Sequence, residues 1–149
     1  MKAFEITLKV DTGTDELTEF TGRFSLDHDN YVRGVVADNN GEQSYLYGHY
    51  EYKQLVCVNI RDIEKSSKQY YFNFYDVSRP GYCSFIENDF ISGKKNKVKV
   101  LATIKEITEN PDSIADEVEN LFISAMQRYA SSKLLMSLFF TVERVRNIF

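Results

Sequence analysis

A chain of 149 residues, 43% apolar and 27% charged, has the makeup of a globular protein with a sizeable core, which argues against a disordered or fibrous class. Its 18 basic and 22 acidic side chains leave a net charge of -4, so wrapping nucleic acid is not its expected business. Cys57 and Cys83 are the only cysteines and show no Cys-x-x-Cys or Cys/His ligand spacing; they read as reduced core residues, and neither a metal site nor a cofactor is expected.

The first strand is read from Lys2 to Val10, where Phe4, Ile6, Leu8 and Val10 alternate with Ala3, Glu5, Thr7 and Lys9. No apolar run of leader length precedes it, so export by a leader is not expected and a cytoplasmic setting is. A polar turn from Asp11 to Glu16 leads into four strands, Phe20 to Leu26, Tyr31 to Ala37, Gln43 to Gly48 and Tyr50 to Ile60. Asp27 to Asn30, Asp38 to Gly41 and Gly48-His49 are read as the tight turns between them, with Asn40-Gly41 supplying the positive φ of a primed hairpin turn. Connections this short allow only antiparallel neighbours, so the segment reads as a meander.

Placing a turn at Gly48-His49 puts Tyr50, Tyr52, Gln54, Val56, Val58 and Ile60 on one face, opposite Leu55, Cys57 and Asn59. After a charged connection, Tyr70, Phe72 and Phe74 alternate with Tyr71, Asn73 and Tyr75, and Ser78 to Gly81 reads as a turn. Tyr82 to Ile91 and Lys97 to Thr108 complete about eight strands; Val98, Val100, Ala102 and Ile104 face inward. Lys94, Lys95, Lys97 and Lys99 read as a solvated, lysine-protected strand edge.

From Asn110 the apolar period changes from 2 to about 3.6. Asn110 is a good N-cap and Pro111 a good first helical residue, and Ile114, Val118, Leu121, Phe122, Ala125, Met126 and Tyr129 form a stripe. A second helical stretch is expected from Lys133 to Phe149, so the C-terminal part is one long helix or two short ones. Its most apolar run, Leu134 to Val142, is too short to span a bilayer. The expectation is one domain over residues 1-149: mainly β, an antiparallel meander closing into a barrel or strongly curved sheet over residues 1-108, with a helical segment over 110-149.

Gly22-Arg23-Phe24 near the start of the meander, the Asn40-Gly41 hairpin and a helix after the last strand resemble a calycin, the lipocalin-like superfamily of ligand-binding barrels. The likeness runs over roughly residues 1 to 130, and the lipocalin Gly-x-Trp signature stands here as Gly22-x-Phe24 in a chain without Trp. The resemblance implies a small apolar or amphipathic ligand inside the barrel; it carries over no binding residues.

From the residues themselves, Tyr50, Tyr52, Gln54 and Tyr70 are candidate ligand contacts, because each shares a face with inward apolar residues and a tyrosine offers apolar area plus an orienting hydroxyl. Arg33 anchors an anion if its face is inward and meets solvent otherwise. His28 and His49 read as turn histidines with no nucleophile beside them in sequence, so non-enzymatic binding is expected ahead of catalysis. The alternative is a protein-interaction or homodimeric module joined through Leu135, Leu138, Phe139 and Val142 of the last helix.

Overall fold

Alternation in the first strand decides which side of the sheet becomes the interior. In the computed structural model, which describes residues 1–11, 17–60, 69–86 and 96–128, Ile6, Leu8 and Val10 are buried while Glu5 and Lys9 are exposed. The register carries this inner row around the molecule, since paired residues share a face. Phe4 pairs with Phe24, Gly34 with Leu46, Gly48 with Cys57, Cys57 with Phe72, Phe72 with Cys83 and Cys83 with Val98.

The elements are β1 (Lys2–Asp11), β2 (Leu17–Leu26), β3 (Tyr31–Ala37), β4 (Gln43–Glu51), β5 (Gln54–Ile60), β6 (Gln69–Phe74), β7 (Gly81–Ile86), β8 (Asn96–Ile107) and α1 (Pro111–Arg128). Each strand pairs antiparallel with the next and β8 returns to β1 from Ala3↔Ile107 to Asp11↔Lys99, so the eight-stranded meander is a closed barrel. The expected fold class stands: mainly β, antiparallel, with a C-terminal helix. The expected second helical stretch lies outside the described residues.

Turn chemistry explains where the strands stop. Asp27 Oδ1 accepts from the amides of Asp29 and Tyr31 at 2.9 and 3.0 Å. Asp38 Oδ1 repeats this with Asn40 and Glu42 at 2.9 and 3.0 Å. Both turns then place their fourth residue at positive φ, Asn30 at 64° and Gly41 at 79°. The Asp38 turn is thus a type I turn followed by a left-handed residue, in place of the primed two-residue turn expected at Asn40-Gly41.

The expected turn at Gly48-His49 is also corrected. β4 runs through both residues to Glu51, and the chain reverses at Tyr52 and Lys53, with φ of 50° and 66°. Neither residue type advertises a left-handed conformation, which is why the signal was weak in sequence. Gly48 serves close packing instead: a Cβ there would stand 2.1 Å from the Val56 carbonyl oxygen. The turn expected at Ser78 to Gly81 starts earlier, with the Arg79 amide donating to the Asp76 carbonyl at 2.9 Å.

α1 starts as its sequence dictates, Asn110 Oδ1 accepting from the Asp112 amide at 3.0 Å. The helix lies on the outer wall over β2 and β3 and touches β1. There Val118, Leu121 and Phe122 cover a second core of outward-facing residues, Val35, Tyr45, Tyr47, Val58 and Ile60. The Phe122 ring stacks on Tyr45 at 3.9 Å between centroids, nearly parallel at 4°. Arg23, outward on β2, donates to Glu109 just before the helix and to Glu117 within it, the latter at 2.6 Å. The bond to Glu109 is the main reason the guanidinium holds its proton above the ordinary arginine range, desolvation opposing it and the Glu117 charge assisting. Because these side chains are partly exposed, the pair contributes at most about 1 kcal/mol.

Two outcomes follow. Phe122→Ala removes the ring that seals the outer core and is expected to lower stability by about 3 kcal/mol, read as a fall in the urea midpoint. Gly48→Ala forces a methyl against backbone that cannot retreat, so a cooperative unfolding transition is expected only well below the native midpoint, or not at all.

Candidate functional site

The inner wall is mostly apolar. Phe20, Phe24, Phe72, Phe74, Ile6, Leu8, Leu46 and Leu55 are fully buried. Their rings form two groups. Phe4, Phe24 and Tyr50 meet toward the β4–β5 turn, with Phe4 and Phe24 stacked at 5.1 Å and Tyr50 edge-on to Phe4 at 5.7 Å. Phe20, Tyr70 and Phe72 meet toward the opposite end, Tyr70 edge-on to Phe20 at 5.1 Å. An eight-stranded barrel is just wide enough to be filled by side chains or to hold one small ligand.

Polar side chains interrupt this lining near the end that carries the β3–β4 and β5–β6 connections. Ser44 is the second residue of β4, Asn59 the second from last of β5 and Tyr70 the second of β6. Asn59 pairs with Leu46 on one side and Tyr70 on the other, which puts it on the inner wall. Asn59 Nδ2 donates to Ser44 Oγ at 2.7 Å and to the Tyr45 carbonyl at 2.9 Å. Asn59 is 0% exposed, and among the described residues its Oδ1 has no hydrogen-bond partner.

The five sequence-chosen ligand contacts separate. Tyr50 and Tyr70 pack against the inner core while staying partly accessible, and burial raises the Tyr50 phenol above its ordinary range. Tyr52 stands in the turn, 90% exposed, and Gln54 is exposed at the start of β5. The shared inward face expected for Tyr50, Tyr52 and Gln54 is therefore corrected: the turn between them breaks the alternation, and β5 turns Leu55, Cys57 and Asn59 inward. Arg33 is exposed on the outer face of β3. Asn59 and Ser44 were missed, although the tyrosines around them were not; recognising the turn at Tyr52-Lys53 would have exposed Asn59 as a polar residue on a buried row.

His28 is exposed in its turn, and His49 lies outside the barrel, edge-on to Tyr31 at 5.8 Å and 3.7 Å from Glu51. Leu135, Leu138, Phe139 and Val142, the expected interface, lie outside the described residues. A groove of about 440 Å³ runs along α1, lined by Gln43, Asp116, Glu117, Asn120 and Leu121 among others. Its carboxylates suit it poorly to an apolar ligand. No family model, curated protein or solved structure matches this chain.

Burial sets the chemistry of the two thiols. Cys57 is driven up past the range of accessible pH, first by desolvation and then by Cys83, and desolvation pushes Cys83 up to about 12. The fold thus prefers neutral thiols, and the unfolded chain ionises first. Their contribution is intact below the ordinary value of 9.0 and is lost as pH rises from there toward 12. The urea midpoint is expected to stay level up to pH about 8.5 and then to fall, each thiol removing up to about 1.4 kcal/mol per pH unit. A Cys57→Ala/Cys83→Ala chain would show a shallower fall, and an equal slope in both proteins would contradict the assignment.

Proposed function

We propose that this chain is a calycin-like barrel that binds a small hydrophobic or amphipathic molecule and performs no reaction on it. The observation that carries this reading is the placement of Tyr50 and Tyr70. Each faces the aromatic interior, at opposite ends of the inner wall, and each remains partly accessible to solvent. Interior surface that water still reaches is where a ligand gains most from burial, about 25 cal/mol per Å² of apolar area. A ring that pivots about its Cα–Cβ bond admits such a molecule with the barrel hydrogen bonds intact.

The neutral fluorophore N-phenyl-1-naphthylamine tests this. A blue-shifted emission rise on mixing with folded protein is expected, with Tyr70→Ala changing the affinity severalfold and Tyr52→Ala leaving it unchanged. No emission change, together with a native mass equal to the bare chain, would overturn the reading.

Assembly into a homo-oligomer is a second reading, favoured by apolar side chains left open on the outer wall away from α1. Val56 on β5, Tyr82 on β7 and Leu101 on β8 are 46%, 61% and 53% exposed. Phe139→Asp in the expected last helix should then reduce a native dimer to a monomer by light scattering; a wild-type chain that is already monomeric removes this reading.

A further inference from the structure

We infer that the molecule held in the barrel is a neutral hydrogen-bond donor, an alcohol or a primary amide, whose polar end sits against Asn59 and Ser44; this rests on the barrel-binding reading above. The orientation of the Asn59 amide is fixed by its neighbours. Both Nδ2 protons are used, one on Ser44 Oγ at 2.7 Å and one on the Tyr45 carbonyl at 2.9 Å. Reversing the amide would set Oδ1 against that carbonyl oxygen, acceptor facing acceptor. The free atom is therefore an acceptor.

An acceptor without a partner in a buried row costs about 1–3 kcal/mol. A valine or leucine at position 59 would avoid that cost and fit the lining, so the amide is a poor choice for packing alone. It is a good choice for recognition. Ser44 adds the complementary half: its Oγ accepts from Asn59 and keeps its own proton to give. An alcohol hydroxyl can donate to Asn59 Oδ1 while accepting from Ser44, and a primary amide can do the same with its two ends.

Among the described residues, the charge pattern disfavours a carboxylate. Arg23 faces outward into Glu109 and Glu117, Arg33 is exposed on the outer face of β3, and His49 lies outside beside Glu51. A carboxylate oriented on Asn59 would meet an acceptor with none of these cations beside it, and an unpaired buried charge is strongly disfavoured. Entry runs past Tyr70, which stands directly opposite Asn59 on β6 and is partly accessible.

Displacement of N-phenyl-1-naphthylamine by three ten-carbon chains, 1-decanol, decyl methyl ether and decanoate, tests the inference. The alcohol is expected to displace the probe at about tenfold lower concentration than the ether or the carboxylate, the value of one buried hydrogen bond. Asn59→Leu and Ser44→Ala should each shrink that preference while leaving ether displacement in place. The native comparison needs no variant to fold. Equal displacement by alcohol and ether, or a preference for decanoate, overturns the inference while the barrel reading stands. A probe that fails to bind the native chain, together with a native mass equal to the bare chain, removes both.

Discussion

Closure of β8 onto β1 is the constraint from which the rest of the structure follows. It satisfies the two edges that an open eight-stranded meander would leave unpaired, over a register reaching from Ala3↔Ile107 to Asp11↔Lys99. Closure also forces the sheet to curl, and the curl brings backbones on the inner wall close together. At Gly22 an added Cβ would stand 2.0 Å from the Val35 carbonyl oxygen, and Gly48 shows the same crowding against Val56. Side-chain-free positions on β2 and β4 are thus part of how the barrel closes, and the aromatic rings then fill the space this leaves.

Once the barrel is closed, α1 has a wall to lie on. That wall is unusual in being apolar on both sides: β4 and β5 send Leu46, Leu55 and Cys57 inward and Tyr45, Tyr47, Val58 and Ile60 outward, all buried. The outward set sits under Phe122, Leu121 and Val118. Tyr45 and Ile60 are chain neighbours of Ser44 and Asn59, so the helix braces from behind the strands that hold the polar pair. A rigid backing holds the Asn59–Ser44 hydrogen bond in a fixed geometry.

The same two-sided burial sets how far the sequence could be read. Where one face is wet, as in β1, alternation assigned the faces correctly, and the change of period at Asn110 marked the helix because its cap residue and apolar stripe agree. Strand number, antiparallel order and the barrel itself were legible from those signals and from turn residues. In β5 the alternation failed, because Val56, Val58 and Ile60 look as inward as Leu55 and Cys57 when a helix covers the outside. The turn at Tyr52-Lys53 adopts positive φ with residues that do not announce it, and the misplaced turn moved Tyr52 and Gln54 to the wrong side. Once that turn is placed at Tyr52-Lys53, Asn59 stands out as a polar residue on an otherwise buried row.

Tyrosine abundance illustrates how little composition says about which side chains face the interior. Nine of the ten tyrosines fall between Tyr31 and Tyr82, a pattern that invites a cavity wall. Yet Tyr45 and Tyr47 form the seat of α1, Tyr71 and Tyr82 lie on the outer wall, and Tyr52 and Tyr75 are exposed in or beside turns. Tyr31 faces outward beside His49, which leaves Tyr50 and Tyr70 against the interior among the described residues. Tyrosine is common in strands because its ring suits a half-buried pleated surface, so most of these positions need no ligand to account for them. A buried amide oxygen without a partner is different, since packing gives it no reason to be there. Asn59, rather than the tyrosine cluster, defines the polar end of the interior.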